Sequence, residues 1–261
     1  MKRRALLSIG AGVAAVGGLT WWQRNSILRG FLTSDKNQDV VISTTPGIDA
    51  DMCVLTPEQV EGPYFVQAPI RSNIVEDRDG QALHLSLRIV DAQTCQPVAG
   101  ALAEVWHCDS QGRYSAYPED LARDPIGTLN LVREAGGGHV EPVNDKRYLR
   151  GAQVTDEQGL VSFQTIVPGW YEPRVPHIHL KVFVGDQSFL TTQLYFTDEL
   201  MAELFTSHPA YQPFGLSPYN LMNDMVIAQA GTGESLLLSP SMQGATMMAS
   251  ATLGVSTANT A

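Results

Sequence analysis

The chain has 261 residues, of which 44% are hydrophobic and 17% are charged. These proportions exclude a wholly disordered chain, and the length suits one domain with appendages or two small domains. The net charge of −10 at pH 7 argues against a nucleic-acid partner, because phosphate backbones repel an acidic surface.

The first 30 residues form a basic leader. They hold five of the 17 Lys and Arg residues and no Asp or Glu, so the remaining chain has a net charge of −15. Arg3 and Arg4 precede an uncharged run over residues 5–22, and this pattern resembles a twin-arginine export signal. The run also approaches the length of a membrane span. We therefore predict an export signal or membrane anchor over residues 1–30, with the body periplasmic or membrane-tethered. Cleavage of the leader is left open.

A polar linker over residues 31–52 precedes a body whose pattern is that of β-strands. Apolar and polar residues alternate from Ala82 to Val90, turn residues follow over 91–97, and Ala101 to Trp106 would be the return strand of a hairpin. Further strands are predicted at 160–166, 178–184 and 189–196, and one short helix at 198–207. The fold class is therefore a mostly β, antiparallel β-sandwich with long functional loops and little helix.

Two segments lack a clear strand or helix pattern. Residues 118–148 are rich in Pro, Gly and charge and predict a long excursion, a kind of loop that is usually functional. Residues 239–261 carry no charge and consist mostly of small residues, which predicts a disordered tail. The body is accordingly expected over residues 53–238.

The three cysteines are Cys53, Cys95 and Cys108, so at least one must stay free or pair with another chain. Cys95 lies in the predicted hairpin turn and Cys108 beyond the far end of the following strand. A bridge between these two is therefore the least favoured pairing. The sequence does not choose between the other two pairings.

Two histidines and two tyrosines suggest a metal centre. His177 and His179 are two residues apart in a predicted strand, so both imidazoles can face one ion. Tyr171 occurs in a Pro/Gly turn and Tyr114 in a second turn sequence, Gln111 to Ser115, where tyrosine is not among the preferred residues. Phenolate and imidazole donors together favour Fe(III) over Zn(II) or Cu(I).

Several motifs follow one another from about Cys53 to Phe196. They read T-P-E-Q-x-E-G-P-Y, C-x-P-V-x-G-A, V-W-H-C-D-x-x-G-x-Y-S, L-R-G, T-D-x-x-G, P-G-x-Y, R-x-P-H-I-H and T-T-Q-L-Y-F. In this order they resemble the intradiol ring-cleavage dioxygenases. The pattern looks closest to the protocatechuate 3,4-dioxygenase-like branch, since residues 23–52 leave no room for the N-terminal helical dimerisation segment of the catechol 1,2-dioxygenase branch.

The resemblance implies roles for individual residues. Arg174 would stabilise the carbanion-like form of the substrate ring, and Gln193 would help to hold the ring and the oxygen adduct. Tyr171 would leave the metal when substrate arrives and would take one of its protons. The Fe(III) ligands would be Tyr114, Tyr171, His177 and His179. The pocket would be lined by Thr56, Pro57, Gly62, Pro63, Tyr64 and Trp170.

The implied reaction is cleavage of a catechol-type ring by O2 between its two hydroxyl-bearing carbons, giving a cis,cis-muconate type diacid. Which catechol is the substrate, and whether the chain forms a homo-oligomer, are left open.

Two other functions compete with this interpretation. His139 and Glu141 could join His177 or His179 in a two-histidine, one-carboxylate Fe(II) site. The segment from Cys95 to Ala101 also resembles transthyretin-like sandwich modules, so an exported binding module without catalysis is the non-enzymatic alternative.

Overall fold

A computed structural model describes residues 54–136, 138–230 and 236–257. The predicted export leader over residues 1–30 and the linker over 31–52 lie outside the described residues, as does the run over 5–22 that would tether the chain to a membrane. Those parts of the domain division remain predictions. In the described part of the chain, no helix is both long and apolar enough to span a membrane.

Within the described residues, eight strands form two four-stranded sheets. The first sheet has the order β4-β1-β8-β7 and the second has the order β3-β2-β5-β6. The strands are β1 (Ala82–Asp91), β2 (Leu102–Trp106), β3 (Arg150–Val154), β4 (Leu160–Ile166), β5 (His177–Val184), β6 (Gln187–Tyr195), β7 (Ser241–Gln243) and β8 (Thr246–Val255). The mostly β fold with two antiparallel-rich sheets is confirmed.

The core lies between the two sheets and follows from alternation in the sequence. Leu83, Leu85, Leu87 and Ile89 of β1 are fully buried, because every second side chain of a strand points to the same face. On the second sheet, alternate residues of β5 complete the same apolar cluster. The other face of β5, which carries its histidines, therefore points away from the core.

The predicted hairpin between residues 82–90 and 101–106 is wrong. Turn residues do bend the chain after β1, where Val90 bridges Pro97, but β2 then joins the other sheet and pairs with β3 and β5. Because both strands have a buried apolar face, each can cover the other across the sandwich instead of pairing edge to edge.

The disordered tail predicted over residues 239–261 is also wrong for the part that the structure describes. β8 lies between β1 and β7, and it pairs with β1 in parallel from Leu83 to Asp91. Met247, Ala249, Leu253 and Val255 are buried, so an uncharged segment of small residues gains its order from a neighbouring strand and an apolar core. The body therefore extends beyond residue 238.

Three α-helices are present among the described residues, α1 (Pro125–Glu134), α2 (Asp198–Ser207) and α3 (Met225–Ala230). The helix predicted over 198–207 is confirmed, and the Thr197 side chain caps it by accepting a bond from Leu200 N. The predicted excursion over 118–148 contains α1 and a short 3-10 helix, Leu121–Arg123, so it is more ordered than its composition suggested.

Two of the three cysteines fall within the described residues. Cys95 is disulfide-bonded, whereas Cys108 is a buried free thiol. The expectation that these two do not pair with each other is confirmed, and Cys53 lies outside the described residues.

Candidate metal centre and active site

The two histidines of β5 lie on the face of the second sheet that is turned away from the core. His177 and His179 are 1% and 2% exposed, since loops cover this face. In the register between β2 and β5, Trp106 lies opposite His179, and the two rings stack 4.8 Å apart at an angle of 4°. Strand β5 thus sets the distance between the two histidines, and Trp106 of β2 fixes the orientation of the His179 ring.

The two tyrosines arrive on loops that pack directly against each other. Tyr114 follows β2, and Tyr171 lies between β4 and β5. Gly169 N donates to Asp109 O across the two loops at 3.0 Å. Gly112 has φ +76°, and a Cβ there would lie 2.5 Å from Trp170 O. Glycine is therefore required at this contact for both its conformation and its lack of a side chain.

The functional atoms of these four side chains converge on one point. Tyr114 Oη lies 3.4 Å from Tyr171 Oη, which lies 3.2 Å from His177 Nε2. His177 Nε2 lies 3.0 Å from His179 Nε2, which in turn lies 3.1 Å from Tyr114 Oη. The four atoms form a closed ring, so the structure brings together all four residues predicted as ligands.

Burial keeps this group uncharged. It raises the pKa of the Tyr114 and Tyr171 phenols above their usual value, and it lowers the pKa of both imidazoles well below theirs. A buried cation reverses the preference of the phenols, because positive charge favours phenolate. Two neutral imidazoles and two phenols that can lose a proton form a donor set suited to a trivalent ion.

The outer nitrogens of the histidines also fit a metal. His177 Nδ1 lies 2.6 Å from Val175 O, which fixes the proton on Nδ1 and leaves the Nε2 lone pair free for an ion. His179 Nδ1 is buried and has no hydrogen-bond partner in the part of the chain described. The stack on Trp106 therefore holds the plane of the His179 ring, whereas the hydrogen bond of His177 also sets which nitrogen carries the proton.

A buried arginine borders the ring of donors. Arg174 Nη1 lies 3.5 Å from His177 Nε2, and Arg174 Nη2 donates to Gln193 Oε1 at 2.6 Å. Arg174 Nε donates to Asp224 Oδ2 at 2.9 Å. Gln193 Nε2 donates in turn to Val60 O at 2.9 Å. The predicted catalytic residues Arg174 and Gln193 are thus bonded to each other beside the four donors.

The segment from Gly62 to Tyr64, which precedes β1, covers the four donor side chains. Gly62 has φ +79°, and a Cβ there would lie 3.3 Å from His179 Cε1. The Tyr64 ring stacks on Tyr114 at 4.7 Å, and its hydroxyl lies 2.8 Å from Thr128 Oγ1 of α1. The segment is held because Pro63 O accepts a bond from Val140 N.

Comparisons with known proteins identify the family of the chain. The chain matches the Dioxygenase family over residues 57–214. An intradiol ring-cleavage dioxygenase from Tetranychus urticae has a solved structure that is 30% identical, covers 78% of this chain and 95% of its own, and superposes with a TM-score of 0.68. The chain belongs to the intradiol dioxygenase family.

Curated relatives of this chain are more distant. A catechol 1,2-dioxygenase of Pseudomonas sp. (strain EST1001) is 28% identical over 62% of this chain and 59% of its own length. A chlorocatechol 1,2-dioxygenase of Pseudomonas putida is 27% identical over 52% of each chain. The chain therefore spans a little over half the length of these relatives.

Three residues predicted to line the pocket have other contacts. Thr56 exchanges two hydrogen bonds with Gly254 of β8, and Pro57 O accepts a bond from Thr192 Oγ1. Trp170 Nε1 donates to Gly215 O, and its ring packs against Phe214 and Tyr219. These contacts anchor the segments that carry Gly62 and Tyr171, and a direct pocket role for the three residues stays a prediction.

The two-histidine, one-carboxylate alternative finds no support among the described residues. His139 Nε2 pairs with Glu61 at 2.6 Å on the surface, and Glu141 is exposed. No group of three or more His, Cys, Asp and Glu side chains could hold an ion anywhere within 54–136, 138–230 and 236–257.

Sequence reasoning missed two neighbours of the centre. Trp106 could have been inferred, because a strand ending at this residue beside the histidine strand places an indole opposite His179. Asp224 precedes the helix α3 as a typical capping residue, but nothing in the sequence connects it with Arg174, 50 residues earlier.

Proposed function

We propose that this dioxygenase uses O2 to cleave a catechol-type aromatic between its two hydroxyl-bearing carbons, with Fe(III) bound by Tyr114, Tyr171, His177 and His179. The product would be a cis,cis-muconate type diacid. The observation that carries the proposal is the closed ring of two phenol oxygens and two imidazole nitrogens, each 3.0–3.4 Å from the next. Ferric iron, when bound, would supply the Lewis acidity and electron withdrawal that prepare a catechol for O2.

The side chains of the chain would divide the remaining work. Tyr171 lies on a loop rather than a strand, so its oxygen can move away and accept one of the two catechol protons. Arg174, with a nitrogen 3.5 Å from His177 Nε2, would stabilise negative charge on the ring. Gly62 and Tyr64 would close the site against water.

The branch of the family bears on which catechol is the substrate. We propose the protocatechuate 3,4-dioxygenase-like branch from the motif pattern, whereas the two curated relatives are named for catechol and chlorocatechol. Oxygen uptake by the iron-loaded chain with catechol, chlorocatechol, hydroxyquinol and protocatechuate separates these substrates. A preference for protocatechuate would support the branch, and a preference for unsubstituted catechol would contradict it.

The central test is Tyr171→Phe. We expect the wild-type protein to absorb visible light through ferric tyrosinate, the variant to show an altered band, and kcat to fall at least about 100-fold because a proton acceptor is lost. Tyr148→Phe is the control, since Tyr148 is a buried phenol packed in a separate cluster under Arg78. Absence of catechol turnover in the iron-loaded wild type would instead favour the transthyretin-like binding module, and unchanged colour and turnover in Tyr171→Phe would contradict the role given to Tyr171.

We also propose that the chain is exported by a twin-arginine route, with residues 5–22 available as a membrane tether. Support comes from Arg3 and Arg4 before an uncharged run. Replacing both with Lys should retain the protein in the cytoplasm, measured by cell fractionation. Export of that variant at the wild-type level would refute the route.

A further inference from the structure

A carboxylate outside the family match lies directly behind the arginine of the site. Asp224 is fully buried and belongs to the segment that follows residue 214, where the match to the Dioxygenase family ends. Its Oδ1 accepts bonds from Val226 N at 2.9 Å and Ile227 N at 3.1 Å, at the start of α3. One oxygen thus caps a helix and leaves the other free for a different partner.

The second oxygen faces the site. Asp224 Oδ2 accepts from Arg174 Nε at 2.9 Å and from Val175 N at 3.0 Å. Both partners belong to the short stretch that leads from Tyr171 to His177. The carboxylate therefore has four N–H donors from two distant segments, which leaves its position little freedom.

The guanidinium is held on two of its nitrogens. Nε is bonded to Asp224, and Nη2 is bonded to Gln193 Oε1 at 2.6 Å, with Tyr195 Oη at 3.4 Å. The remaining nitrogen, Nη1, is the one that lies 3.5 Å from His177 Nε2. A planar guanidinium fixed at two nitrogens cannot turn, so the direction of the third is determined.

We propose that Asp224 is a positioning residue that locks Arg174 with Nη1 directed at the four-donor centre and balances the buried charge of Arg174. This inference rests on the proposed function, because it assigns Asp224 to the arginine that would stabilise the substrate ring. It also explains how a segment beyond the family match contributes to the site.

The test is Asp224→Asn in the iron-loaded full chain. Asparagine caps helices as well as aspartate does, so the cap of α3 should be kept. What the change removes is the negative charge and the strong acceptor for Arg174 Nε. We expect kcat to fall about 100-fold, because displacement of a positioned group by about 1 Å has that cost. KM, bound iron and the visible band should change little, since no metal ligand is touched.

Asp198→Asn is the matched control. Asp198 accepts two bonds from Leu221 N, so it holds the same segment without contacting Arg174, and turnover should stay near wild type. In an Arg174→Ala background, Asp224→Asn should cause no further loss, because Asp224 acts only through that side chain. A full additional 100-fold loss there, or normal turnover of Asp224→Asn alone, would overturn the proposal. If Asp224→Asn folds poorly, Asp224→Ser keeps the cap and serves in its place.

A second measurement does not depend on turnover. With diamagnetic Ga³⁺ in place of iron, the Arg174 Nε–H should give a slowly exchanging, downfield NMR signal in the wild type and in Asp198→Asn, and lose it in Asp224→Asn. If no catechol is turned over by the wild type, the proposed function fails while this signal still decides the contact. If the signal is retained in Asp224→Asn, Asp224 does not fix the position of Arg174.

Discussion

The strand that carries the two histidines and the loops that carry the two tyrosines reach the same point by different means. On β5 the distance between His177 and His179 is set by the strand, which is paired on both sides with β2 and β6. Tyr114 and Tyr171 depend on two irregular loops that contact each other at Gly112 and Gly169. Backbone ladders secure the first pair, and close packing of two turns secures the second.

This difference has a consequence for how the centre responds to change. A substitution on β5 removes a donor without moving the others, because the ladder bonds come from the backbone. A substitution at the contact of the loops moves both tyrosines, although it removes no donor. Substitutions of a strand histidine and of the loop glycine separate these two effects, and a titrating residue between strand and loop has a smaller one.

The largest effect is expected for His179→Ala, which deletes a donor from the strand. Changes to residues that merely support ligands already weaken metal binding about 10–100-fold, so loss of a ligand should weaken it at least about 100-fold. Iron per chain after dialysis against a chelator measures this. His84→Ala on β1 of the other sheet is the control and should keep its iron. Full iron in His179→Ala would exclude this residue as a ligand.

Next comes Gly112→Ala, which tests the contact between the loops. Alanine at φ +76° with Cβ 2.5 Å from Trp170 O should destabilise the fold by about 4 kcal/mol, from backbone strain and overpacking together. Thermal unfolding measures the loss of stability, and the ferric tyrosinate band measures the displacement of the tyrosines. Gly185 has φ +60°, and no atom lies within 4 Å of the Cβ that Gly185→Ala would add. This variant therefore measures the destabilisation that comes from backbone strain alone. Equal losses in both variants would contradict the proposed contact.

The smallest effect is the pH dependence of stability that comes from His107, the first residue after β2 on the loop that carries Tyr114. This ring is bonded to Cys108 O and Thr165 Oγ1, and burial lowers its pKa from 6.5 to about 4. The unfolded chain takes up this proton first, so stability should fall as the pH drops from about 6.5 and level off below about 4. The loss over this whole window is about 3 kcal/mol.

His107→Gln removes this titration while keeping a polar side chain. Chemical unfolding of the metal-free wild type and variant between pH 4 and pH 7 should show a shallower dependence for the variant. The free energy of unfolding of both proteins will also respond to the other buried histidines, so the difference between the two slopes is the quantity to compare. Parallel slopes would mean that His107 has the same pKa in the folded and unfolded chains, which would contradict the effect of burial.

Much of this fold follows from local pattern. The alternation over β1 and the run over α2 predict those elements with nearly their observed bounds, because side-chain period and capping act over a few residues. β8 was missed because its small, uncharged residues have no strong strand pattern of their own. The partner of β1 was also misassigned, since alternation shows that a strand has a buried face but not which sheet covers it.

The sequence by itself determined the donor types, the shared face of His177 and His179, and the family to which their motifs belong. Only the tertiary structure decided that loops cover the outer face of the second sheet and that Asp224 holds Arg174. It also decided that the loop contact at Gly112 and Gly169 brings the two tyrosines next to the histidines. The physical reason is separation along the chain. Spacing within one strand is fixed by covalent geometry and the ladder, whereas contacts between residues 50 or more positions apart depend on how every intervening element packs.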